Sequence, residues 1–271
     1  METNEKKTAA PEVLMELRDA VCTITINRPA VRNALNAEIA EGIRQCIAAA
    51  SRRSDCRAIV LTGAGDRAFC AGADLARPGT GSAFEVDFAH PRHFMVGLLK
   101  QMDECPLPLI ARVNGHAMAG GFGLVCACDL AVAVDTATFG CPEPKVGISP
   151  MMILPHMLRV LPRRKLREMC LTGEPLTAAE ALAHDVLNYV VPAAELDAKL
   201  AWLLGRIVDK SPSGLRLGKQ ALQAMDGLNL SESLGYAEVM VAVLASTPDA
   251  REGMAAFREK RPPQWAEGAQ A

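Results

Sequence analysis

The chain lacks a charge excess of either sign. Twenty-nine Lys and Arg stand against 31 Asp and Glu, for a formal net charge of −2, so there is no basic footprint for a nucleic-acid backbone. It lacks any apolar run near the roughly 20 residues that a membrane-crossing helix requires. The polar start, Met1 to Pro11, holds nothing resembling a secretory signal. Paired thiols are missing too. The nine cysteines form no Cys-x-x-Cys framework, and Cys126 and Cys128 stand two apart. Five histidines are scattered and share no ligand spacing with the cysteines, which argues against a metal site. These absences point to a soluble cytoplasmic protein with buried free thiols, binding neither nucleic acid nor membrane. The run Arg163-Arg164-Lys165 reads as a solvated helix face.

What remains is ordinary globular material, 50% apolar and 22% charged over 271 residues. Val13-Leu14-Met15-Glu16-Leu17 and Val21 to Ile26 read as a hairpin, closed by Asn27-Arg28-Pro29. A helix is expected from a cap at Asn36 to about Arg52, because Ile39, Ile43, Cys46, Ile47 and Ala50 share one face. Strands are expected at Ala58 to Thr62, Leu109 to Val113, Asp129 to Val134 and Thr138 to Gly140. Helices are expected at 83–104 and Phe122 to Ala127, with a glycine-rich surface loop at Pro78 to Ser82. The strand–turn–helix order predicts an α/β fold with parallel neighbours. Beyond Met151 helical patterns dominate, with Tyr189-Val190-Val191 as the lone strand candidate. The spare apolar faces past Leu196 predict a homo-oligomer.

Two glycine-bearing turns carry the chemistry. Ala71-Gly72-Ala73-Asp74 and Asn114-Gly115 through Gly120-Gly121 each follow an apolar strand. Such turns can aim two backbone N–H groups at one point, which suits an oxygen that gains negative charge during reaction.

Several segments, in order, resemble the crotonase superfamily of enoyl-CoA hydratases and isomerases. They are Asn27-Arg28-Pro29 with Asn33-Ala34-Leu35-Asn36, Phe69 to Leu75, Val113 to Gly121, Cys128-Asp129-Leu130, Phe139 to Glu143, Leu171-Thr172-Gly173, and Ala256 to Arg261. The resemblance implies a spiral of repeated ββα units over 1–195 with the acyl-CoA site. It implies a helical region over 196–271 that builds trimers or dimers of trimers. No permanently bound cofactor is implied, and coenzyme A enters as part of a thioester substrate. Ala73 and Gly120 would donate to the thioester oxygen, and Glu143 would move protons. Arg28, Ala30, Val31, Arg32, Ala71, Asp74, Leu75, Phe257 and Lys260 are the implied contacts to the coenzyme A portion.

One position departs from the pattern. The family's hydratases use two glutamates, and the earlier one aligns with Gly123. Candidates for a replacement base are Asp74, Glu85, Asp87 and His116. Asp74 reads better as a turn stabiliser, Glu85 and Asp87 as surface charges, and His116 as a packed or hydrogen-bonded residue. A lone Glu143 favours double-bond migration over hydration, since one carboxylate can take a proton and return it elsewhere. Replacing Gly123 by glutamate is expected to raise hydration. A weakly catalytic acyl-CoA binder, decarboxylation and thioester hydrolysis remain open. The acyl wall is expected to include 77–91, Met118, Phe122 and Met151, and apolar Val146, Ile148 and Met151 to desolvate Glu143.

Overall fold

Along β2 (Val21–Ile26) the residues Cys22, Ile24 and Ile26 are buried and their alternates half-exposed, as period two requires of a strand with one core face. β1 (Val13–Arg18) pairs with it antiparallel, Val13 opposite Ile26. β3 (Ala58–Gly63) is buried along its whole length, as a parallel strand covered on both faces should be. The structure, a computed structural model, describes residues 10–74 and 93–267. The predicted loop at 77–91, with Leu75, Glu85 and Asp87, lies outside them.

The remaining strands are β4 (Ala68–Cys70), β5 (Leu109–Val113), β6 (His116–Met118), β7 (Leu130–Val134), β8 (Thr138–Gly140), β9 (Leu176–Thr177) and β10 (Tyr189–Val191). A six-stranded sheet runs β1-β2-β3-β5-β7-β10, parallel from β2 onward. A four-stranded sheet runs β4-β6-β8-β9, with β4, β6 and β8 parallel. Helices are α1 (Ala37–Ser51), α2 (Phe94–Asp103), α3 (Gly120–Ala127), α4 (Leu154–Val160), α5 (Arg163–Thr172), α6 (Ala178–Ala183), α7 (Leu196–Val208), α8 (Pro212–Met225), α9 (Leu230–Ala245), α10 (Pro248–Glu259) and α11 (Gln264–Glu267). The expected unit is plain: β3-β4 precede α2, β5-β6 precede α3, and β7-β8 precede α4. In each unit the first strand joins the large sheet and the second joins the small one.

Most elements fall where the sequence puts them. Asn36 caps α1 by accepting from the Ile39 N–H at 2.8 Å, and Ile39, Ile43, Ile47 and Ala50 are buried. The small sheet is the correction. Its strands are two or three residues long, too short to show alternation, and β9 is a second strand past Met151. The stretch after Val113 is therefore not one turn: Asn114-Gly115 turns, His116–Met118 is strand, and only then comes the bend into α3. Helix α3 is buried from Gly121 to Cys126, which is why its sequence is apolar all round.

Past Leu196, α7 buries Leu196, Leu200, Leu203, Ile207 and Val208 against β3 and β7. Helices α8, α9 and α10 pack on one another, and α8 is tied to the core by Lys219, which donates to Asp129 Oδ2 at 2.6 Å and Leu107 O at 3.0 Å. Leu222, Leu230, Leu234, Val239, Val241 and Phe257 are exposed on them. Among the described residues, no helix is long and apolar enough to cross a membrane.

Asn33 holds the loop beside the glycine turn. It is buried in a left-handed conformation (φ 57°), accepts from the Arg28 N–H at 3.0 Å, and donates to Ala64 O at 3.0 Å and Ala68 O at 2.8 Å. Asn33→Ala takes the acceptor from the buried Arg28 N–H and a donor from Ala64 O and from Ala68 O, which keeps Asn114 Nδ2 at 3.4 Å, at about 1–3 kcal/mol for each left unsatisfied. Urea unfolding of Asn33→Ala should show a loss of at least about 2 kcal/mol; a loss under about 0.5 kcal/mol, the range of an ordinary surface change, would contradict this role.

Candidate active site

Three parallel neighbours, β4, β6 and β8, end side by side, and each is followed by one of the singled-out segments. β4 leads into Ala71-Gly72-Ala73, β6 into Ala119-Gly120, and β8 into Cys141-Pro142-Glu143. Adjacent strands lie about 4.8 Å apart, so residues far apart in sequence arrive at one place. The crevice beyond the carboxyl ends of parallel strands is where α/β folds bind ligands. Here it is a cavity of about 520 Å³ lined by Ala73, Gly120 and Glu143 together with Leu35, Met95 and Ile153 among others.

The amide of Ala73 is turned outward by backbone pairing. The Leu35 N–H donates to Gly72 O at 2.7 Å, and the Asp74 N–H donates to Leu35 O at 2.8 Å. This is a one-residue parallel bridge between Leu35 and Ala73. In such a bridge the flanking peptide groups of one strand face the partner, and the residue between them presents its own N–H to the opposite side. Gly120 is the first residue of α3, where helix N–H groups lack intrahelical acceptors. Its cap, Ala119, supplies no side chain, and the Ala119 N–H goes to Gly140 O at 2.7 Å. Ala119 sits at φ 50° and ψ −125°, a strained conformation for a non-glycine residue that costs on the order of 1–3 kcal/mol.

The two turns touch. A Cβ on Gly72, itself at φ +91°, would lie 2.6 Å from Ala119 Cβ and 3.2 Å from Gly120 N. Only glycine allows that approach.

Glu143 opens a 3-10 turn, Glu143–Val146, between Pro142 and Pro144. Burial pushes its carboxyl above the ordinary glutamate value. Among the described residues its Oε2 is buried with no hydrogen-bond partner. Among the described residues it is the one carboxylate lining the cavity. Val146, Ile148 and Met151 line the same cavity at its exposed rim. Two residues before Glu143, burial pushes the Cys141 thiol up to about 12, so it stays protonated and is a poor nucleophile. Among the described residues no cluster could hold a metal ion.

Other expected residues fall in three groups. Ala71 lines the cavity, and exposed Ala30, Val31 and Arg32 sit beside it, joined by the Ala71 N–H donating to Arg32 O at 3.0 Å. Arg28 is a buried clamp: it donates to Glu12 Oε1 at 3.1 Å, Ala34 O at 2.7 Å and Asp74 Oδ2 at 3.0 Å. Arg28 and Asp74 thus hold the turn together through their side chains. Phe257, 86% exposed on α10, and Lys260 just past it do not line the cavity. The expected wall residues need correcting. Met151 lines the cavity, but Phe122 is wholly buried edge-on against Phe139 at 6.1 Å between ring centroids, and Met118 packs toward Gly140. His116 exchanges a 2.8 Å hydrogen bond with Thr138 and is no part of the lining. Leu35, Met95 and Ile153 carry no signal of the cavity in the sequence, because nothing local marks a core residue as facing one.

The profile of the Enoyl-CoA hydratase/isomerase family matches residues 16–268. This chain belongs to that family. A relative from Mycobacterium bovis, named a probable enoyl-CoA hydratase, is 35% identical over 93% of this chain and 97% of its own length. The crystal structure of an enoyl-CoA hydratase from Mycobacterium smegmatis superposes with TM-score 0.87 at 30% identity, over 94% of this chain and 99% of that one. An enoyl-CoA hydratase from Bacillus anthracis gives 0.84 at 28%, over 94% and 98%. The ββα units and the small sheet are thus a shared crotonase fold, and the chain is an enzyme of this superfamily.

A glutamate whose folded pKa is raised is disfavoured when ionised. Its destabilisation is absent below the unfolded value of about 4.3 and grows as pH rises through the folded one. Glu143→Gln should therefore melt higher than wild type at pH 8, with the gap closing as pH falls to about 4. A gap that stays constant or widens in acid would contradict a desolvated carboxylate.

Proposed function

We propose that the protein moves a carbon–carbon double bond in an acyl-CoA thioester, with Glu143 as the sole proton carrier. The Glu143 carboxylate takes a proton from the carbon next to the thioester carbonyl of a 3-enoyl-CoA. The electron pair delocalises onto the thioester oxygen and through the double bond as a dienolate. The N–H groups of Ala73 and Gly120 donate to that oxygen. Protonated Glu143 then returns its proton to the fourth carbon, leaving a 2-enoyl-CoA. Each fixed donor in such a hole is worth about 2.7–4 kcal/mol of barrier. The observation that carries the reading is that, among the described residues, Glu143 is the one carboxylate lining the cavity, with one oxygen unpartnered, and that Gly120 and Ala73, whose N–H faces away from its Leu35 bridge, line the same cavity.

The exposed segment Ala30 to Arg32 would receive the coenzyme A portion. Arg28 supports that segment from inside. The exposed apolar faces of α8, α9 and α10 support a trimer, in which Phe257 and Lys260 would reach a neighbouring subunit's ligand. Hydration is the second reading, and the hydratase names of the similar proteins favour it. Both place negative charge on the thioester oxygen, as a dienolate in isomerisation and as the enolate of a 3-hydroxyacyl thioester in hydration, but hydration needs a water held at the β-carbon. The two differ by 18 mass units in the product.

Glu143→Gln should lower turnover of a 3-enoyl-CoA by about 10²–10⁴-fold, with affinity for a saturated acyl-CoA essentially unchanged by calorimetry. Undiminished turnover in that variant would remove Glu143 from the mechanism.

A further inference from the structure

Helix α3 passes behind the cavity wall, yet Gly123 does not line the cavity; Ile153 stands between them. Ile153 is 2% exposed and packs its branched side chain directly onto the Gly123 backbone. A Cβ at position 123 would lie 2.1 Å from Ile153 Cγ2 and 2.7 Å from Ile153 Cβ. Real atoms do not approach that closely, so the two positions are coupled in size. Neither can easily withdraw. Ile153 caps α4, donating from its N–H to Pro150 O at 3.2 Å and accepting at its carbonyl from Met157 N–H at 3.1 Å. Gly123 is held in α3 by its own N–H donating to Ala119 O at 3.1 Å.

The chemical consequence concerns water. A water poised to attack needs two or more polar partners to fix it. Among the described residues, the lining next to Gly123 is the hydrocarbon side chain of Ile153, and the Gly123 N–H behind it is already used.

We infer that Ile153 is a reaction-outcome determinant: paired with Gly123, it keeps the cavity wall at that position closed and apolar, so that protons move but water does not add. This rests on the enoyl thioester reading above. It also corrects the expectation for Gly123→Glu. That substitution alone has no room, and even Ile153→Ala would leave a Cβ 2.7 Å from the new one; only glycine at 153 clears the contact, its Cα being 3.7 Å away.

The test has two arms. In melting experiments on the full chain, Gly123→Ala should cost several degrees in the wild-type background, nearly as much beside Ile153→Ala, and almost nothing beside Ile153→Gly. Equal losses in all three backgrounds would overturn the coupling. In the second arm, a 2-enoyl-CoA and its 3-enoyl isomer are incubated with each variant, and hydrated and isomerised products are separated by mass. The Gly123→Glu/Ile153→Gly pair should raise the hydrated-to-isomerised ratio on the order of 10²-fold over Ile153→Gly. Ile153→Ser, which puts a hydroxyl on the wall without crowding Gly123 further, should raise it several-fold over wild type. An unchanged ratio in the folded pair overturns the inference; should the pair not fold, an unchanged ratio in Ile153→Ser does. If wild type converts neither thioester, the enoyl reading itself fails, while the melting arm still decides whether the two positions are coupled.

Discussion

Parallel pairing of three very short strands is the constraint from which the site follows. β4, β6 and β8 contribute only a few ladder positions, yet their order delivers two amides and a carboxylate to one cavity. The single bridge of Leu35 to Ala73 completes the arrangement by turning one amide outward. It is secured from behind by Asn33 and by the buried ion pair of Arg28 with Asp74. Side chains with no direct part in the chemistry thereby fix the direction of a backbone N–H. That is what electrostatic preorganisation asks of the proposed oxyanion donor, since a donor that must reorganise during reaction gains little.

The cavity spends stability on availability. An unpartnered carboxylate oxygen, a strained Ala119 and a glycine contact between turns all weigh against folding, each by amounts that a large apolar core absorbs. In the proposed reaction, the return is a carboxylate whose proton affinity burial raises and whose unpartnered oxygen can meet a substrate carbon. Ile153 belongs to the same logic. In the proposed reaction, a wall that offers water no partner at Ile153 leaves Glu143 to move the proton.

Much of this was readable in the residues. Alternation in Val21 to Ile26, the Asn36 cap and the apolar run Ala58 to Leu61 each reflect a local rule, and the structure follows them. The recognised segments also led to Ala73, Gly120 and Glu143, which the fold collects in one cavity. Of the small sheet only Thr138 to Gly140 is legible; β4, β6 and β9 are not, because a two- or three-residue strand has no period to display and takes its shape from its neighbours. Phe122 reads equally well as a pocket or a core residue until its partner Phe139 is known. Gly123 looks like a missing group in the sequence; only the contact with Ile153, thirty positions on, shows that the space is filled. Arg28 reads in the sequence as a contact to the coenzyme A portion, and its three acceptors within the chain cannot be guessed from spacing.

The central claim is that one shielded carboxylate carries one proton between two carbons of the same acyl chain. Isotope tracing tests this most directly. A 3-enoyl-CoA carrying two deuterium atoms on the carbon beside the thioester carbonyl is converted in ordinary water, and the 2-enoyl product is read by mass and NMR. Deuterium recovered on the fourth carbon, well above background, is the predicted result. Complete loss of the transferred label to solvent, or a product carrying an added water, would contradict it.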